Sequence, residues 1–184
     1  MRRVSLATGW AALALVAGCE QPRTELVVRT ESEVPWGTGQ TVQSVVLSVR
    51  RSSATGPLRS ARTTALGTEP GRLTLPLLVG VVPGDDDDTD TPLWIEALGC
   101  GSPNGCTPSD AVVAQRAVVR FVRGETQELT LLLASACLNM RCPSDQRCAV
   151  ATGECEAATR AQEMVRPFGC LLYTSDAADE RSSV

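Results

Sequence analysis

Residues 41–50 read TVQSVVLSVR, and the alternation in that stretch decides the fold. Val45, Leu47 and Val49 fall on one side of an extended chain, while Ser44 and Ser48 fall on the other with Val42 and Val46. A period of two sets one side against a core and the other toward solvent, which is how a half-buried strand reads. The same pattern continues outward. Residues 25–30 (ELVVRT) form a first strand, and residues 31–40, with Pro35, Gly37 and Gly39, form a loop carrying Trp36. Residues 58–66 make a weak strand. Residues 71–80 make a clear one, with Leu73, Leu75, Leu77 and Val79 on one face, and Pro76 predicts an edge or a bulge there because proline cannot donate to a ladder.

Residues 92–98 (PLWIEAL) predict a short strand whose Trp94 covers the end of the core. Two long apolar stretches follow, residues 111–123 and 125–133, joined around Arg123, Gly124 and Glu125. So short a turn predicts an antiparallel hairpin, with Leu129, Leu131 and Leu133 as its buried set. Residues 111–119 (AVVAQRAVV) also allow a helical turn or two, but the valines favour strand. Six or seven strands with no helical period predict an all-β fold. The expected architecture is an antiparallel β-sandwich over residues 25–134, immunoglobulin-like or transthyretin-like, with a small disulfide-rich C-terminal segment.

Composition narrows the chemistry. The 184 residues suit one domain with a small appendage, and with aromatics at 3% the core must be built from Val, Leu and Ala. Every basic residue is arginine; lysine and histidine are absent, which removes the usual general base, the imidazole ligand and the Schiff-base amine. A net charge of −4 with no basic stripe argues against nucleic acid as a partner. There is no Gly-x-Ser-x-Gly elbow, phosphate loop or two-histidine motif, and nothing in the sequence pairs Glu96 with a second catalytic carboxylate. The expectation is therefore no enzyme and no cofactor. Within residues 85–90, Asp86, Asp88 and Asp90 alternate as oxygen ligands of a calcium loop would, but no glycine or distal glutamate completes one. A solvated connection is the plainer reading.

Arg2 and Arg3 precede a mostly apolar stretch over residues 4–17, the length of a signal peptide and too short to span a bilayer. It ends in residues 15–19, LVAGC, which resemble the lipobox of bacterial lipoproteins. That resemblance implies a signal peptide at 1–18, a diacylglycerol-modified, palmitate-bearing Cys19, and a lipidated tether at 19–24. Of the eight cysteines, lipid accounts for Cys19. Cys170 lies in residues 170–184 (CLLYTSDAADERSSV), which resemble adapter-derived sequence at the ends of metagenomic gene calls and are expected to be non-native.

Six cysteines remain as a disulfide framework: Cys100, Cys106, Cys137, Cys142, Cys148 and Cys155. Cys100 and Cys106 would close a small loop at one end of the sandwich, or pair with the C-terminal set. The four from Cys137 to Cys155 allow three pairings. A zinc site would call for Cys-x2-Cys pairs, which are missing. The segment at 135–158 resembles half-EGF-like modules, whose interleaved pattern implies Cys137 with Cys148 and Cys142 with Cys155. Residues 159–184 are expected to be an unstructured tail.

Three stretches together resemble small lipoproteins of myxobacteria and related high-GC envelope bacteria: VAGC at 16–19, RFVRGETQELTLLL at 120–133, and CLNMRCPSDQRCAVATGEC at 137–155. The resemblance implies a cell-envelope protein held at the membrane by its N-terminal lipid, in the outer membrane rather than the inner. Three roles are expected in descending order. The first is non-catalytic binding of a partner protein or surface polysaccharide, the second a structural subunit of an envelope or secretion assembly, and the third a calcium-binding adhesive module.

Overall fold

The computed structural model describes residues 23–84 and 89–168; Cys19, Asp86, Asp88 and Cys170 lie outside them. The strands are β1 (Glu25–Ser32), β2 (Ser44–Arg51), β3 (Leu58–Ala65), β4 (Leu77–Val81), β5 (Leu93–Cys100), β6 (Val113–Val119), β7 (Thr126–Leu133), β8 (Gln146–Cys148), β9 (Cys155–Ala157) and β10 (Val165–Pro167). Two four-stranded sheets, ordered β10-β7-β1-β4 and β3-β2-β5-β6, pack face to face, and β8 with β9 forms a small separate ladder. Among the described residues the only helices are 3-10 turns, Ser135–Cys137 and Ala158–Met164.

The period-two pattern fills the space between the sheets. Val45, Leu47 and Val49 of β2 face Leu26 and Val28 of β1 and Leu129, Leu131 and Leu133 of β7 in one cluster. Each fully buried Leu or Val there contributes about 1.5–3 kcal/mol through apolar burial. At Gly99 a Cβ would sit 2.6 Å from its cross-strand partner Val113 and 3.3 Å from Leu133 of the other sheet, so only glycine fits where the layers meet. The opposite face of β2 is covered too, so Ser44 and Ser48 are buried rather than solvated. The Cys100–Cys106 loop folds back over that face, and the Ser44 hydroxyl donates to the Ser102 carbonyl at 2.7 Å.

Two sequence expectations about pairing are corrected. β6 and β7 are not a hairpin: β6 is the edge of one sheet, while β7 pairs with β1 and β10 in the other. Both carry a buried stripe, and placing them in opposite layers buries each stripe against the other sheet. Phe121, 5% exposed, fills the gap where the chain crosses between layers. The sandwich is also not wholly antiparallel, because β1 and β7 run parallel from Glu25↔Thr126 to Ser32↔Leu133. A parallel pair needs a long crossover, and here it contains the whole second sheet and β4.

A third correction concerns residues 71–80. Only Leu77–Val81 form β4, at the edge of the first sheet, and the ladder begins just after Pro76, which has no N–H to donate. Leu73 instead bridges to Leu66 and is 46% exposed, whereas Leu75, though outside the ladder, still packs against the main core with Leu77 and Val79.

The C-terminal segment is more deeply integrated than an appendage. Its disulfides are Cys137–Cys148 and Cys142–Cys155, with Cys100–Cys106 the third. Cys137 and Cys148 are 1% and 3% exposed and belong to the main core cluster together with Ala161. The expected tail at 159 instead continues the fold through residue 168, since Val165–Pro167 add β10 to β7. Gln115, facing inward from β6, donates to the Cys148 carbonyl at 3.1 Å. Arg147 is buried beside Glu156, Nε to Oε1 3.2 Å, and burial lowers its pKa while Glu156 opposes the shift.

Because one bridge lies in the core and another closes a surface loop, their removal should differ. Replacing Cys137 and Cys148 together by Ala should cost about 4 kcal/mol in urea unfolding, against about 2 kcal/mol for Cys100 with Cys106. Equal losses would contradict the core placement.

Candidate functional site

A concavity of about 510 Å3 lies on the outer face of the second sheet at the end where β2 and β6 finish and β5 begins. Its floor is Trp94 and Val118, cross-strand neighbours on β5 and β6. Trp94 therefore faces away from the main core, although at 3% exposure it is well packed. Pro92 and Ala54 add to the apolar lining.

One wall is the β2–β3 loop, with Ser52, Ser53 and Thr55. Ser52 adopts a φ of 65°, and its N–H donates to the Pro92 carbonyl at 2.8 Å, tying this loop to the start of β5. The other wall comes from the C-terminal segment: Ser144 and Asp145 before β8, Thr159 and Gln162 from the second 3-10 helix. The Ala158 N–H donates to the Asp145 carbonyl at 3.1 Å, and the Gln162 side-chain oxygen accepts from the Arg120 N–H at 3.1 Å. Arg120 itself donates through Nε to the Asp90 carbonyl at 3.0 Å.

What holds the second wall in place is Arg116. Its Nε lies 2.7 Å from Glu96 Oε1, both side chains being 12% exposed, and its Nη1 donates to the carbonyls of Cys142, Pro143 and Gln146 at 3.0–3.3 Å. The Cys142–Cys155 bridge fixes the other side of the same turn. Glu96 is thus committed to Arg116 across the β5–β6 ladder.

The cleft combines an apolar floor with a rim of hydroxyls, one amide, one carboxylate and one guanidinium. This arrangement suits a small, overall neutral ligand with an apolar face and several hydrogen-bonding groups. Among the described residues no group of three His, Cys, Asp or Glu could hold a metal ion. Asp90, the one member of the calcium candidates that is described, is exposed and serves Arg120 through its backbone. All six cysteines singled out by the sequence sit in disulfides, whereas the cleft was not foreseen except for Trp94. Its rim comes from positions 52 to 162, which no local pattern in the sequence links.

A second hollow, about 250 Å3, lies at the opposite end, between Trp36, Thr38 and Gln40 of the β1–β2 loop and Gly67 to Glu69. A hydrogen bond from the Thr38 side chain, the Glu69 backbone amide and nearby Arg72 hold the Glu69 carboxyl below its ordinary range. Comparison of the chain with protein-family models, curated proteins and solved structures finds no match.

Arg116→Met should destabilise the fold by about 3 kcal/mol, because it leaves Glu96 unpaired and half-buried. Adding Glu96→Leu should recover more than half of that loss in urea titrations, and a double variant no better than the single would refute the pairing. Glu69 has a depressed folded pKa, so its contribution is full above the ordinary carboxylate range and fades as pH falls through the folded value. Carboxyl NMR should place its midpoint below that of the Glu69 carboxyl in the unfolded chain, and Thr38→Val should raise it.

Proposed function

We propose that the chain is a lipid-anchored cell-envelope lipoprotein that binds without catalysis, taking a neutral segment of surface polysaccharide into the cleft above Trp94. The observation that carries this reading is the complete pairing of the six described cysteines. Disulfides of this kind persist in oxidising compartments outside the cytoplasm, which is where a lipobox cysteine would be acylated. β1 begins at Glu25, six residues beyond Cys19, a spacing that suits a short tether. No described helix is long and apolar enough to cross a membrane, so on this reading attachment comes from the lipid.

The cleft favours a polymer over an ion. Val118, Pro92 and Ala54, seated over the buried Trp94, can meet the apolar face of a sugar ring, while Ser53, Thr55, Ser144 and Thr159 supply hydroxyls and Asp145 and Gln162 supply acceptors. A second reading, a structural subunit that extends a neighbour's sheet, is favoured by β3. That strand ends the second sheet, is eight residues long and exposes most of its side chains.

Two measurements decide the first reading. Metabolic labelling with an alkyne palmitate should mark the wild-type protein and fail on Cys19→Ser; an equally labelled variant would remove the anchor. Purified envelope polysaccharide should bind the wild type and lose about tenfold in affinity when Ser144→Arg fills the rim, roughly the 1.4 kcal/mol of one lost contact set. Unchanged binding would move the site away from this cleft.

A further inference from the structure

We infer that one end of the sandwich, formed by Leu58, Val82, Val122 and Phe168, is a membrane-apposed surface that seats in the interfacial layer of the bilayer carrying the anchor. The inference rests on the lipidation of Cys19 put forward above. The four residues are distant in sequence and are large, apolar and 54%, 55%, 39% and 43% exposed.

Register and hydrogen bonds gather them at one end. Leu58 opens β3 opposite Arg50, near the end of β2, and Val82 follows Val81, which pairs with Leu26 at the start of β1. Arg59 joins these strands by donating to the Val82 carbonyl, and its guanidinium lies 5.8 Å from the ring of Phe121, next to Val122. The Phe168 N–H donates to the Thr126 carbonyl at 2.8 Å.

The tether leaves from this same end. The Thr24 hydroxyl accepts from the Gly124 N–H at 2.7 Å, and the Arg23 carbonyl accepts from the Thr126 hydroxyl at 3.1 Å. From Cys19 to Arg23 is four residues, which reach about 14 Å when fully extended. An acyl group on Cys19 would therefore hold this end, and no other, within reach of the headgroups. Isolated exposed apolar residues are ordinary, and Leu73, Leu78, Leu138 and Met140 are exposed elsewhere on the fold; what sets these four apart is that the tether gives them an occupant whose distance is fixed.

Charge defines the kind of contact. Arg23, Arg123 and Arg166 are exposed at this end and can extend along apolar surface with their heads in water. Among the described residues, Glu25, Glu125 and Asp90 offset these in part, while Arg59 and Arg120 add to the basic side. The surface is held by shallow apolar insertion plus the tether, and anionic lipid, where present, adds to the hold through the arginines.

Tryptophan quenching tests this with an internal control, since Trp36 lies at the opposite end and Trp94 is buried. The full, acylated protein is placed in phosphatidylethanolamine/phosphatidylcholine vesicles with acyl chains brominated near the headgroup. Val122→Trp and Phe168→Trp should each lose about half of the added emission, while the wild type changes little, with or without phosphatidylglycerol. No extra quenching in variants that co-float with vesicles overturns the surface and leaves the anchor intact. Emission already blue-shifted without lipid, together with a dimer mass, assigns the face to a second copy and also overturns it. If mass spectrometry finds a bare Cys19, the anchoring reading fails on its own. Coupling that thiol to a maleimide lipid then restores the tether, and the same quenching decides the surface.

Discussion

Arg116 gathers three main-chain carbonyls from a segment that has hardly any ladder of its own, and the rest of the C-terminal third depends on that fan of bonds. Its neighbour Gln115 does the complementary work on the other face of β6, reaching the Cys148 carbonyl inside the core. Two successive residues, pointing opposite ways as strand geometry requires, thus grip the disulfide segment from within and from without. The energetic logic follows from burial. Arg116 and Glu96 are both mostly removed from water, so each needs the other and every remaining donor needs an acceptor.

The disulfides complete what the side chains begin. With few aromatics, the interior relies on Val and Leu, and the open side of the sandwich beside β6 has no strand to close it. Cys137 and Cys148 supply a buried covalent plug there, and β10 then reaches β7 on the far layer. The cross-links therefore act as core material, beyond their usual effect on the unfolded chain. The same segment brings Ser144, Asp145, Thr159 and Gln162 over Trp94, so the cleft exists only because the segment is docked.

How much of this was legible in the sequence depends on range. Strands with a buried stripe, β1, β2, β5 and β7, were readable because period two is a local signal. The separation of β6 from β7 was not, since a short apolar-to-apolar connection looks the same whether the chain turns within a sheet or crosses between sheets. Phe121 was the available hint, a large apolar residue inside the connection that needs a core to enter. The alternation over 73–79 placed Leu75, Leu77 and Val79 against the core but overextended the strand to Leu73, because apolar spacing says nothing about whether a partner strand is present. Gln115 was a missed signal: a polar residue in register with Val113, Ala117 and Val119 must find a buried partner. The cleft's rim is assembled from serines and threonines in turns, residue types whose ordinary presence in loops conceals any special role.

The parallel pairing of β1 has a mechanical consequence. β1 lies between two partners, with eight residues registered against β7 and five against β4. Tension applied to the chain ahead of Arg23 runs along the β1 axis, so both ladders are loaded in shear, with their hydrogen bonds sharing the force instead of opening one at a time. A pull on the N-terminus thus meets the most resistant direction of the first sheet, whereas a pull at Phe168 would peel the three-residue β10 from its edge. The domain is strong in the direction from which a tether would tug and yielding at the β10 edge.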